Sequence, residues 1–588
     1  MTEQTYITGK DAALEETIAQ VQKQLAQLGF DIEETRWLNP VPNCWSVHIR
    51  DRNCPILFTN GKGASRKAAL ASALGEFVER LGSQYFFGDF HWHRERTEAG
   101  VHDPRERWFT IEQPGIRPEG LLDDALWRHY LADEMRVTTE DWIDFNSAVS
   151  DAVCALPYTR ISDDETVYFP ANIVGNLYVS NGLTAGNTPY EARTQGLSEV
   201  FERYVKNRII AEGIALPQIP DAVLNRFPTI ATAVHALREH GFGLRLMDAS
   251  LGGRYPVICV TLIDPQSGGV FASFGAHPNF EVAFERTVTE LLQGRALDDL
   301  HGFHPPTTDR ELVSDPQNLE LHFIDSSGWI DWRFFRDTPD YPFVDWDFTA
   351  EDNHACFARL CAIVTDEGYD VYVADYTHIG LYACRILVPG MSEIYPVDEL
   401  YDRNNNIGLA LVPFVERLGA LDETDCAALL DEIDGLDLDW LMPVTDVIGL
   451  AADPGSAWSS LRLGELRALT LMQTDARKDE DEREAILDWL ATVPPLPEDR
   501  KSVYRAAVAL NQLHDAFGIA RTRQTLQSTL TVMFTAETLN SAERLLAGQA
   551  GFLDIPSLGT NYSNSQRHQA LIAAYERAFA AKNPRSES

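Results

Sequence analysis

Apolar positions recur with two different periods along this chain. Met1 to Phe30 is polar and helix-patterned. Tyr255 to Ile263 (YPVICVTLI) is a β-branched apolar run and predicts a buried strand. Asp370 to Asp375 (DVYVAD) alternates, Leu381 to Val388 (LYACRILV) follows it, and Pro389-Gly390 breaks the chain. Strand-like and helix-like segments interleave over residues 1–405, which predicts an α/β or α+β domain. From about Leu409 helical spacing takes over. It runs through Leu421 to Leu438, Ala457 to Gln473, Arg483 to Ala491, Ser502 to Phe517 and Ala542 to Leu546. Asp479 to Arg483 (DEDER) reads as a solvated connection and Val493 to Pro497 as a break between helices. A second, all-helical domain is expected at 420–588, since 588 residues exceed one ordinary core.

Within the first domain an element repeats. Leu74-Gly75-Glu76-Phe77-Val78-Glu79-Arg80 matches Leu197-Ser198-Glu199-Val200-Phe201-Glu202-Arg203, both of the form Leu-x-Glu-x-x-Glu-Arg. A glycine-bearing turn precedes each, at Asn60-Gly61 and at Asn181-Gly182. A weaker third copy runs from Gly275 through Arg286 to Glu290 and Gln293. Gly61 lies 15 residues before Glu76, and Gly275 lies 15 before Glu290. Gly182 lies 17 before Glu199. Each copy is expected to be a strand end, a turn and an acid-bearing helix.

Helical geometry groups the acids. At about 100° per residue, Glu191, Gln195, Glu199 and Glu202 fall within roughly 80° of one another. Ser72, Glu76 and Glu79 share one face of the first helix, and Leu70, Leu74, Phe77 and Leu81 share the other. A lone Glu-x-x-Glu is the ordinary solvated face of a surface helix. Recurrence in elements with matching leaders, the arginine that follows Glu79 and Glu202, and the scarcity of lysine on these faces set the repeated element apart. A duplicated fold that keeps its acids for ion pairs or caps is the structural alternative.

Net charge sharpens the question. At −39 the chain repels nucleic acid and anionic membrane, so a triphosphate would need local cations. Mg²⁺ takes hard oxygen ligands and bridges carboxylates to phosphates. Glu76, Glu79, Glu199, Glu202 and Glu290 are the candidate ligands for two or more Mg²⁺, and Lys10, Arg203 and Arg286 the candidate cations. Carboxylates at this spacing do not by themselves distinguish ATP from another phosphate ligand. No P-loop, dinucleotide fingerprint, Gly-x-Ser-x-Gly elbow or His-Glu-x-x-His occurs. His277, in Gly-Ala-His-Pro, reads as a structural turn residue, and no general base is assigned. The eight cysteines form no Cys-x-x-Cys pair and read as reduced thiols. Without a signal-like start or a long apolar stretch, the chain is expected in the cytoplasm.

The three motifs, from Gly61-Lys62-Gly63 to Arg80, from Gly182 to Arg203 and from Gly275 to Gln293, resemble the nucleotide-binding motifs of the YcaO family. The Val371 to Asp375 strand and the Val388-Pro389-Gly390 turn fit the same family, and the resemblance covers residues 1–405. It implies an α/β fold that binds ATP with Mg²⁺ and activates a peptide or protein amide by phosphorylating its oxygen. It further implies that Lys10, Ser72, Asn187, Glu191, Gln195, Arg203 and Arg286 contact the nucleotide and that the five glutamates hold the metals. The helical second half resembles the stand-alone bacterial subgroup, which is linked to β-methylthiolation of a small-subunit ribosomal protein beside a radical methylthiotransferase. Its helix pairs resemble tetratricopeptide units without that repeat's full signature, and a homodimer is expected. Azoline-forming members often carry a proline-rich tail and a peptide-clamp domain. Here the last eight residues hold one proline and no clamp is visible. A non-catalytic ATP-binding accessory protein and a plain scaffold are the competing readings.

Overall fold

The structure, a computed structural model, describes residues 4–91, 102–113, 116–131, 137–143, 151–400, 404–493 and 495–582. Helix α1 (Leu14–Gln27) leads into strands β1 (Ile32–Val41), β2 (Cys44–Asp51) and β3 (Phe58–Gly63), which form one sheet in that order. Strands β4 (Arg107–Thr110), β5 (Ala152–Arg160), β6 (Thr166–Pro170) and β7 (Leu183–Ala185) come next, then β8 (Gly243–Asp248), β9 (Val257–Ile263) and β10 (Val270–Ala276). Strands β11 (Tyr372–Tyr376) and β12 (Ala383–Leu387) complete the set. A second sheet has the order β4-β5-β11-β12-β7, with β6 also on β5, and a third has the order β10-β9-β8.

Each strand pair is antiparallel, so the mixed domain takes the α+β form of the two expected. The apolar run at 255–263 is β9, buried over six of its seven residues, as a strand covered on both faces should be. Three layers of core join these sheets to the helices. One packs α2 (Arg66–Gly82) between the first and second sheets. Another packs α3 (Pro189–Glu212) between the second and third, and a further one seats α4 (Phe280–Leu291) on the third.

Beyond residue 411 the described residues form helices and no strand. Their core includes Leu429, Leu466, Leu490, Tyr504 and Leu545. The DEDER segment is not a connection. It opens helix α6 (Glu480–Thr492), where the Asp479 side chain accepts from the Glu482 N–H. Acids in a first turn are stabilised by the unpaired N–H groups there, so the charge run marks a helix start.

The final helix, α7 (Gln566–Lys582), leaves this helical core. Leu571, Ala574, Tyr575 and Ala578 are buried in the core of the first sheet and α2. Arg577 Nη2 donates to Asp51 Oδ2 at 2.9 Å and its guanidinium lies 4.8 Å over the Phe30 ring.

Candidate functional site

The repeated sequence element is a repeated piece of structure. Strand β3 leads to α2, β7 to α3 and β10 to α4, and each of the three strands is the edge of its own sheet. Each helix begins on a side-chain cap. Ser65, Thr188 and Asn279 accept from the N–H groups of Ala68, Glu191 and Val282. Glu76, Glu199 and Glu290 all lie eleven residues after their caps.

Close strand–helix packing fixes this register. A Cβ on Gly61 would lie 2.0 Å from Ala69 O, and one on Gly275 would lie 2.4 Å from Thr287 Oγ1. Thr59 and Ser273 donate their hydroxyls to the carbonyls of Ala73 and Thr287 at 2.8 and 2.9 Å, the same bond in copies one and three. In copy two the glycine changes sides. Thr184 occupies the strand position of Gly61 and Gly275, and Gly196 on the helix makes the room, its virtual Cβ 2.9 Å from Thr184 Cγ2. Counted from Thr184, Glu199 follows at 15 residues like the other two. The 17-residue spacing from Gly182 therefore compares unlike positions.

The three helices turn their acid faces to one cavity of about 1080 Å³. Lys10, Ser72, Asn187, Glu191, Gln195, Arg203, Arg286, Glu76, Glu79, Glu199, Glu202 and Glu290 all line it, so the structure brings the twelve candidate residues together. Contacts run between copies. Arg286 Nη1 donates to Gln195 Oε1 at 2.7 Å, Gln293 Nε2 to Asn60 O at 2.5 Å, and Lys62 pairs with Glu290.

The charges inside are only partly matched. Arg80 sits 3.5 Å from Glu76 and 3.3 Å from Glu79. Burial pushes the Glu79 carboxyl well above the usual carboxylate range; Arg80 opposes that shift, and Glu76 and Glu199 add to it. Burial raises Glu199 as well, against Arg203. Burial and the Arg286 charge bring the Lys62 ammonium down to about 8. At the far end Glu191 accepts from Lys10 Nζ at 3.1 Å, from the Asp11 N–H at 2.9 Å and from Asn187 Nδ2 at 2.9 Å.

Several lining residues were not legible in the sequence. Lys62 lay inside the first motif but carried no helical spacing to draw attention to it. Arg80 reads in the sequence only as the tail of a repeat. Lys206, one turn beyond Glu202, donates to Ser326 Oγ at 2.7 Å and to His322 O, and burial lowers it to about 7. Arg203 Nη1 donates to Phe323 O at 3.3 Å, so two cations of α3 hold the C-terminal end of helix α5 (Pro316–Ile324). Tyr382, also on the wall, donates to Asp375, whose two oxygens both accept from Arg193 Nη2 at 2.9 and 2.8 Å. His277 is buried and lines the cavity, its Nδ1 accepting from the Asn279 N–H at 3.0 Å.

Among the described residues no three acids, histidines or cysteines stand close enough to hold a metal by themselves. The donor set nevertheless suits Mg²⁺ with a phosphate ligand, which needs one or two protein carboxylates per ion and takes its other oxygens from phosphate and water. The Nε groups of Arg203 and Arg286 are buried with no hydrogen-bond partner among the described residues. Buried donors of this kind call for an acceptor.

Fold and cavity together define an α+β protein in which three matched strand–turn–helix elements converge acids and arginines on one cleft. The chain belongs to the YcaO family. Residues 60–392 match the family model described as "YcaO cyclodehydratase, ATP-ad Mg2+-binding", and residues 412–584 match "YcaO cyclodehydratase C-terminal domain". The chain is 49% identical over 587 residues to a protein of Escherichia coli named ribosomal protein S12 methylthiotransferase accessory factor YcaO. The match covers 98% of this chain and 99% of that one. It is 47% identical over 599 residues to an uncharacterized protein of Haemophilus influenzae, with 99% of each covered. Among solved structures, YcaO from Methanopyrus kandleri bound with AMPPCP and Mg²⁺ is 21% identical with a TM-score of 0.42. It covers 66% of this chain and 95% of that one. No described helix is long and apolar enough to cross a membrane.

Proposed function

We propose that this chain binds ATP with two or more Mg²⁺ and uses it to activate an amide carbonyl, in support of β-methylthiolation of a small-subunit ribosomal protein. The observation that carries the reading is the convergence of eight glutamates, the five candidate metal ligands among them, and three arginines, from three matched helices, on one cavity. In the reaction a substrate nucleophile adds to the amide carbon and gives up its proton to solvent. The resulting oxyanion attacks the γ-phosphorus and ADP leaves. Phosphate then departs as the C–O bond breaks and the nitrogen gives up its proton.

When bound, the metal offsets charge between the carboxylates and the phosphates. Glu76, Glu79, Glu199, Glu202 and Glu290 hold it. Arg203 and Arg286 present donors to the transferring phosphoryl group, which needs placement and charge stabilisation rather than covalent help from the protein. Lys10, Ser72, Asn187, Glu191 and Gln195 bind the rest of the nucleotide. The helical second half, residues 420–588, serves docking through tetratricopeptide-like helix pairs. Its partners are a second copy of the chain and the methylthiotransferase, in the cytoplasm.

A second reading, an ATP-binding accessory protein without turnover of its own, is favoured by the name of the Escherichia coli relative. Calorimetry with ATP, with and without Mg²⁺, tests the common core on the wild type and on Glu199→Ala with Glu202→Ala. Mg²⁺-dependent binding that the double variant loses supports it, and no binding by the wild type overturns it. Phosphate release with and without a candidate ribosomal protein then separates the two readings.

A further inference from the structure

The three copies differ in how their leading acid is neutralised. Fifteen residues after the cap, copy one has Arg80 and copy two has Arg203, each four residues beyond its glutamate. That spacing places an arginine beside the acid on the same helix face. Arg80 is 3.5 Å from Glu76. In copy three the same position is Gly294, and the arginine this helix does carry, Arg286, one turn before Glu290, donates its Nη1 to Gln195 of copy two. The cation that pairs with Glu290 comes from another copy. Lys62 extends from β3 between Gly61 and Gly63, whose bare faces pack on α2, and its ammonium pairs with Glu290 across the cavity. The strand positions matching Lys62 are Ala185 and Ala276, so only copy one carries this cation.

Arg80 and Lys62 are therefore different kinds of partner. Arg80 is fixed to the helix of the acid it serves, and its guanidinium is also held 4.3 Å over the Tyr85 ring. Lys62 is on a separate sheet and touches Glu290 only through a single flexible ammonium. A compact point charge on a four-carbon stem is readily exchanged for another cation.

Building on the Mg²⁺–ATP reading above, we propose that Lys62 is the resident counter-ion of Glu290, occupying the place of a divalent cation in the unloaded protein and withdrawing as the site fills. Lys62 thereby keeps the third copy's carboxylate paired and in position without metal, and it competes with metal for that carboxylate. It is a positioning residue.

The test uses Mn²⁺, a hard divalent cation that is visible by electron paramagnetic resonance, on the full chain without nucleotide. Lys62→Met removes the competitor and is expected to bind Mn²⁺ three- to tenfold more tightly than the wild type. Lys62→Arg keeps the charge and should show no gain. Glu290→Gln with Lys62→Met should lose the gain. A structural lesion weakens binding, so tightening is a readout that damage does not mimic. Should Lys62→Met not fold, Lys62→Gln, which retains a neutral donor to Glu290, carries the same measurement. Unchanged or weaker Mn²⁺ binding by the charge-removing variant overturns the inference. Calorimetry with Mg²⁺–ATP on the wild type keeps the two claims apart. Wild-type binding without a Mn²⁺ gain in the variant defeats the counter-ion alone, whereas no wild-type binding defeats the nucleotide reading.

Discussion

Arg286 Nη1 donates to Gln195 Oε1 at 2.7 Å, and the two residues hold the same position in different copies, seven residues after the caps Asn279 and Thr188. Ser72 is the matching residue in copy one and lines the same cavity. One structural position thus supplies a hydroxyl, an amide and a guanidinium to a common centre. Gln195 holds the arginine by one arm and leaves its Nε without a partner among the described residues.

The chemistry of that pair predicts unequal losses. Arg286→Gln removes a charged donor and is expected to weaken ATP binding by roughly 10- to 100-fold, since hydrogen bonds to charged groups contribute about 1.5–3 kcal/mol. Gln195→Ala frees the arginine without removing it and should cost only a few-fold. Calorimetric titration of both variants checks the order, and equal losses would remove Arg286 from the nucleotide contacts.

Two glycine substitutions should act in opposite directions. Gly61→Ala forces a methyl to within 2.0 Å of Ala69 O, a backbone atom that has nowhere to go. The variant is expected to lose about 3 kcal/mol or more. Gly175 lies in the helix Ala171–Tyr178, exposed and with nothing near its virtual Cβ. Gly175→Ala should gain about 0.5–1 kcal/mol from helix propensity alone. Urea unfolding of both, monitored by circular dichroism, makes the comparison.

His277 predicts a dependence on pH. Burial, helped by Arg286 and Lys10, lowers it to about 3, against an ordinary 6.5. The unfolded chain therefore binds more protons between those values, and this residue's contribution to stability falls as pH falls through that window, by up to roughly 1.4 kcal/mol per unit. His277→Gln lacks the group. Its deficit relative to the wild type at pH 7.5 is expected to shrink at pH 6 and reverse by pH 5, which denaturant titrations at the three values would reveal. A constant deficit would mean that His277 is not held neutral.

The last helix makes a prediction at the opposite end of the chain. Asp51 is fully buried and accepts from Arg577 at 2.9 Å and from the Asp31 N–H at 2.9 Å. Arg577→Ala leaves that carboxylate with one donor fewer and should destabilise the protein by roughly 2 kcal/mol, less than for a fully enclosed pair because the arginine is partly exposed. The double variant Arg577→Ala with Asp51→Asn should recover part of the loss, read from thermal unfolding.

The acid-bearing helices were legible because helical period and heptapeptide repetition coincide in Leu-x-Glu-x-x-Glu-Arg. Glu290 is legible from its glycine-bearing leader and the 15 residues that separate it from Gly275, with no second acid to strengthen the match. Lys62 stayed hidden because a strand residue between two glycines shows no periodicity, and its partner is 228 residues away. The exchange of Gly61 for Thr184 with Gly196 was hidden for a related reason, since compensation across a contact leaves no trace in either segment alone. Helix α7 carried an apolar stripe that any bundle could bury, and nothing local told which core would take it. Asp479 to Arg483 misled because acids in a first helical turn and acids in a loop have the same composition.

That last helix also fixes an order of events in biosynthesis. Tyr575 and Ala578 close the same core as Phe30 and Phe77, so the amino-terminal half cannot seal when it emerges from the ribosome. It must wait, with apolar surface open, while nearly two hundred further residues are translated. A chain stalled or clipped in the helical half would thus release a nucleotide domain with a missing wall, a substrate for chaperones and proteases before it could bind anything.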